Sequence, residues 1–135
     1  LRILFGVLIA ISLARAMRSS RHIRDAIAES LRWNAPPIIA ALPVTAAITT
    51  WGEEFYFPLS GVRDYRETAT TQVKIGDIAF WGAGKVLAIF FGRTPMSLGV
   101  DPVPADRVNI IGTIIGDATR LRQVMEVPTI CLEPG

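Results

Sequence analysis

Reactive side chains are scarce in this chain, and that scarcity limits its chemistry. There is one cysteine, Cys131, so no disulfide can form within the chain and no zinc site can be built on paired CxxC motifs. The one histidine, His22, would have to serve any Ser-His-Asp or Cys-His site. It sits in a basic segment with no signature of either, and a solvated surface histidine is the better reading. Charge is also scarce. Charged residues make up 19% of the chain against 50% hydrophobic ones, which excludes a disordered polypeptide. The net charge of +2 gives only a weak field for attracting nucleic acid. Arginines crowd the first quarter (Arg15, Arg18, Arg21, Arg24, Arg32), but no aromatics interleave with them to stack on bases, so no nucleic-acid partner is expected.

Long apolar runs are missing too. Ile3 to Leu13 is apolar apart from Gly6 and Ser12, well short of the roughly 20 residues a membrane-spanning helix needs, so no stable span is expected. The run suits the core of a secretion signal, with Ala14 and Ala16 as small residues beyond it. The arginines that follow oppose translocation and favour a cytoplasmic protein. The chain begins with Leu, and Met17 is a candidate start. Residues 1–20 therefore read as an extension, either signal-like or from a miscalled start, and residues 21–135 as one domain with one core.

What is present is a series of short elements punctuated by 11 Gly and 9 Pro, the habit of β folds more than of helix bundles. His22 to Trp33 fits both a helical stripe and an imperfect strand alternation. Asn34 is placed to cap a short helix carrying Pro36 and Pro37 in its first turn, with Pro43 ending or kinking it. Strands are expected on either side of a tight turn or bulge at Gly52, after a turn within Val73–Trp81, and over Val86–Phe91, Arg107–Ile115 and Thr129–Leu132. The Val86–Phe91 run is continuously apolar, as in a strand buried on both faces or set in a closed barrel. Gly61 to Thr71 reads as an exposed loop. Asp117 is a good N-cap for a late helix with Leu121, Val124 and Met125 on one face.

Two blocks stand out: WGEEFYF at Trp51–Phe57, and IGDIAFWGAGKVLAIFFGRTPMS at Ile75–Ser97. With APPIIAALPV before them and VNIIGTIIGDATRLRQV after them, the chain resembles the small prokaryotic cyclophilin-like proteins of unknown function from about Ile27 to Leu132. The resemblance implies a mainly β fold, a closed barrel of about eight mostly antiparallel strands with two short helices capping its ends. It also favours the strand reading of His22–Trp33. True cyclophilins set an arginine against the proline amide from an F-H-R strand motif. Thr49, Thr50, Trp51 and Gly52 lie roughly where that motif belongs, so no catalytic arginine carries over and no catalytic residue is assigned.

The chemistry-bearing residues are few. Glu53 and Glu54 are adjacent in a strand and point to opposite faces, so they are not an acid–base pair. The inward one needs a partner, for which Arg93 is the candidate. Gly82-Ala83-Gly84-Lys85 lacks the spacing of a phosphate loop and reads as a turn. Loops leaving rigid strands concentrate binding groups. The candidate ligand site is therefore Trp51, Glu54 and Tyr56 with Arg93, Thr94 and Met96. No metal or cofactor is expected. The functional expectation is a domain that binds a small molecule or short peptide at a barrel-mouth loop. The alternative is a weak or divergent prolyl isomerase.

Overall fold

The computed structural model describes residues 1–4, 35–59, 61–62 and 69–134. Eight strands are described: β1 (Arg2–Leu4), β2 (Val44–Ala47), β3 (Thr49–Thr50), β4 (Glu54–Pro58), β5 (Asp77–Trp81), β6 (Val86–Phe90), β7 (Asn109–Thr113) and β8 (Thr129–Glu133). A helix, α1 (Ala35–Ala41), precedes β2, and a 3₁₀ helix (Ala118–Val124) lies between β7 and β8. The helix stops ahead of Pro43, which cannot donate to it. The 3₁₀ helix is capped as its sequence leads one to expect: the Asp117 carboxylate accepts from the Thr119 amide at 3.0 Å. His22–Trp33, and Asn34 as a cap, lie outside the described residues, as does most of the Gly61–Thr71 loop. Thr70 departs from the exposed-loop reading: it is buried and bridges Val108.

The strands form two sheets, one ordered β1-β8-β2 and the other β3-β4-β6-β5-β7. Among the described strands only β1 and β8 pair in parallel; the remaining pairs are antiparallel. The described strands do not form the expected closed barrel. Closure needs one continuous ladder around the ring. Here the ladder breaks at Ile48. Residues before it pair with β8, whereas Thr49 and Thr50 turn onto β4. The Ile48 amide instead donates to the Pro128 carbonyl at 2.9 Å, fixing a corner between the sheets. No pairing joins the outer strands β1 and β7 among the described residues. No described helix is long and apolar enough to cross a membrane.

The main core lies between the sheets. Phe55 and Phe57 of β4, Ile78 and Phe80 of β5, and Leu87 and Ile89 of β6 are all buried there. They meet Ile38 of α1, Ala118 of the 3₁₀ helix, and Ile130 and Leu132 of β8. The rings of Phe55 and Phe91 pack tilted, with centroids 4.7 Å apart. Because alternate residues of a strand face opposite ways, these strands carry a second apolar face. That face holds Ala79, Ala88, Phe90, Val73 and Val108, with Tyr56 and Trp81 packed against them.

The I-G-D block is explained by this architecture. Gly76, at φ +96°, donates its amide to the Phe90 carbonyl at 2.7 Å. The Asp77 side chain accepts from the Lys74 amide at 2.8 Å, closing the turn that leads into β5.

Candidate functional site

A cleft of about 290 Å³ opens on the second face of the larger sheet. Its floor is built by cross-strand neighbours. Glu54 of β4 stands opposite Phe90 of β6, and Tyr56 stands opposite Ala88. Ala88 in turn stands opposite Ala79 of β5. The small Ala88 side chain in the floor leaves a hollow where the other face of the same strands carries Phe, Leu and Ile. Trp51 and Trp81 line the cleft, together with Val86 and Val108. The far wall is Pro104, Ala105 and Asp106, from the segment between β6 and β7. The Trp81 indole N–H donates to the Asp106 carboxylate at 3.2 Å and ties that wall to the sheet.

Trp81 owes its position to the turn after it. The Lys85 amide donates to the Gly82 carbonyl at 3.2 Å, so this segment is a strand-connecting turn, as its spacing implied. A Cβ on Gly84 would stand 2.4 Å from two indole carbons of Trp81, so glycine is what allows the ring to lie against the turn. Gly52 has a similar role one strand away. It adopts φ +62°, and a Cβ there would stand 2.8 Å from the Arg93 carbonyl.

The two glutamates do face opposite ways, but their partners differ from expectation. Glu53 pairs with Arg122 of the 3₁₀ helix. Glu54 is the buried one, 7% exposed, and lines the cleft. Arg93 is not its partner, because its guanidinium donates to the Ser97 carbonyl at 3.1 Å. Among the described residues Glu54 has no hydrogen-bond or ionic partner. Loss of solvent around it pushes its carboxyl up from 4.5 to about 7.

Of the candidate residues, Trp51, Glu54 and Tyr56 come together in the cleft. Arg93, Thr94 and Met96 do not line it. Thr94 is buried, its hydroxyl donating to the Val103 carbonyl and its amide to the Ser97 hydroxyl at 3.0 Å. Ser97 donates to the Asp101 carbonyl at 2.8 Å, so these two hydroxyls shape the segment that leads to the cleft wall. Met96 is exposed. Sequence reasoning missed Ala88, Trp81, Asp106 and Pro104 as lining. The available signal was the small residue within Val86-Leu87-Ala88-Ile89-Phe90, where bulky residues stand on the other parity.

Comparisons with known proteins place this geometry in a family. The chain matches the cyclophilin-like family over residues 14–133. It is also similar to the solution structure of the hypothetical protein AF2241 from Archaeoglobus fulgidus, with 30% identity over 71% of each chain and a TM-score of 0.52. No curated protein matches it. The match spans nearly the whole folded region and includes every strand from β2 to β8, so this chain belongs to the cyclophilin-like family.

Proposed function

We propose that this chain is a binding domain that takes a small molecule, or one side chain of a short peptide, into the cleft on the outer face of the larger sheet. One observation carries the reading. The cleft is concave and largely apolar, has aromatic walls, and is lined by the mostly buried side chain of Glu54, which has no protein partner among the described residues. Ligand sites are built this way, from an apolar surface that supplies affinity and a few polar groups that fix orientation. A fully packed structural face would have no use for an unpartnered Glu54, since burying it costs stability. At about 290 Å³ the cleft is at the small end of ligand sites. A divergent prolyl isomerase is the competing reading and rests on likeness of fold alone.

The test is a fragment screen by NMR on the wild-type chain and on Ala88→Leu, whose larger side chain would rise from the cleft floor. Fragments that bind should shift the indole N–H signals of Trp51 and Trp81, and those shifts should vanish in Ala88→Leu while the fold is retained. Fragments that act elsewhere, or that bind Ala88→Leu equally well, would rule the cleft out. Acceleration of X-Pro isomerisation that is lost in Ala88→Leu would replace binding with catalysis at the same cleft.

A further inference from the structure

We propose that the ligand of this cleft is a protonated amine with an apolar body, its ammonium group against the Glu54 carboxylate and its body against Trp51, Tyr56 and Trp81. The inference rests on the cleft being a ligand site and adds the chemical class of the ligand.

Charge is the first argument. The charged side chains that line the cleft among the described residues are Glu54 and Asp106, both carboxylates. The described residues on its walls include no lysine or arginine. Such a site repels anions and attracts cations.

Unmet bonding capacity is the second. Glu54 is more than nine-tenths buried and lacks a partner among the described residues, whereas a buried carboxylate has room for several donors. Asp106 differs, since it already accepts from the Trp81 indole and the Arg107 amide. An ammonium N–H placed at Glu54 would supply the missing donor and the missing countercharge together.

The aromatic walls are the third. Rings of Trp and Tyr attract a cation over their faces, and they accept an apolar body equally well.

A rival follows from the same residue. Glu54 in its protonated form could donate to a ligand carbonyl instead, and the two cases have opposite pH dependence. An amine needs the carboxylate, so its binding strengthens as pH rises through about 7. A carbonyl needs the acid, so its binding weakens over the same range. Among the described residues few other groups facing the cleft can confuse the result. On β4 the other titratable group is Tyr56. From β6 come Val86, Ala88 and Phe90, from β5 Trp81, and from the opposite wall Asp106.

The probes are benzylamine, benzyl alcohol and benzamide, titrated against the unaltered chain at pH 5.5 and pH 8, with the Trp51 and Trp81 indole signals as readout. Benzylamine remains protonated at both. It should bind at least about tenfold more tightly at pH 8, as expected for a carboxyl that ionises near 7. Benzyl alcohol should be weaker and indifferent to pH. Glu54→Gln should abolish the amine preference. The main comparison is made on the wild-type chain and does not depend on any variant folding. Equal binding of amine and alcohol, or benzamide favoured at pH 5.5, would overturn the amine inference and leave the cleft as a ligand site. No shift at either indole with any probe would overturn both.

Discussion

The two faces of the larger sheet are made by the same three central strands, yet they are built to different ends. On the inner face Phe55, Phe57, Ile78, Phe80, Leu87 and Ile89 are buried without remainder against α1, the 3₁₀ helix and β8. On the outer face the intervening positions include Glu54, Tyr56, Asp77, Ala79, Trp81, Val86, Ala88 and Phe90. Their mean size is not small, but it is unevenly distributed, with alanines at the centre and aromatics around them. Close packing on one side and a hollow on the other therefore follow from where volume is placed along each strand. Polarity follows the same division. Within these strands the inner positions carry no charged side chain, whereas the outer ones keep Glu54, a carboxylate whose ionisation is suppressed.

That contrast can be tested by disturbing each face in turn. The largest effect is expected inside. Ile89 is fully buried, and Ile89→Ala should cost about 2–5 kcal/mol, a substantial part of a small domain's stability. Urea denaturation gives the value; a cost below about 1 kcal/mol would mean that the inner face is not the packed core it looks to be.

Glu54→Gln should have a smaller effect and the opposite sign. Folding raises this carboxyl from 4.5 to about 7. Between those values the native chain holds a proton that the unfolded chain has released, so stability falls as pH rises through that window and levels off above it. The full shift corresponds to about 3 kcal/mol at most. Glu54→Gln should therefore stabilise the chain by about 1–3 kcal/mol at pH 8, and far less at pH 4.5. Parallel stability–pH curves for the two proteins would show that Glu54 is not buried as described.

The smallest effect concerns the cleft wall. Gly84→Ala places a methyl group against the Trp81 indole, which is only half buried and can swing outward. The cost should be about 1 kcal/mol. The more telling readout is the indole N–H resonance of Trp81, which should move as its bond to Asp106 is lost. An unchanged resonance would mean that Trp81 does not depend on the turn for its position.

Some of this was legible in the residues alone, and some was not. The β strands, the two glycine-containing turns and the Asp117 cap were readable because each depends on a few neighbouring residues with strong local preferences. The opposite facing of Glu53 and Glu54 was readable for the same reason, since strand alternation requires nothing beyond adjacency. The partners were not. Arg122 reaches Glu53 from far along the chain, and Arg93 turns to a carbonyl in its own loop. Only the fold decides which of several arginines arrives at a given carboxylate. Barrel closure was likewise beyond local reading. It turns on whether the ladder continues past Ile48, and the answer depends on Pro128, which comes eighty residues later. The cleft needed tertiary structure most of all. Ala88 is an ordinary strand residue by sequence. It becomes the floor of a ligand-sized hollow only because strand pairing sets Ala79 and Tyr56 beside it and a distant segment brings Asp106 across.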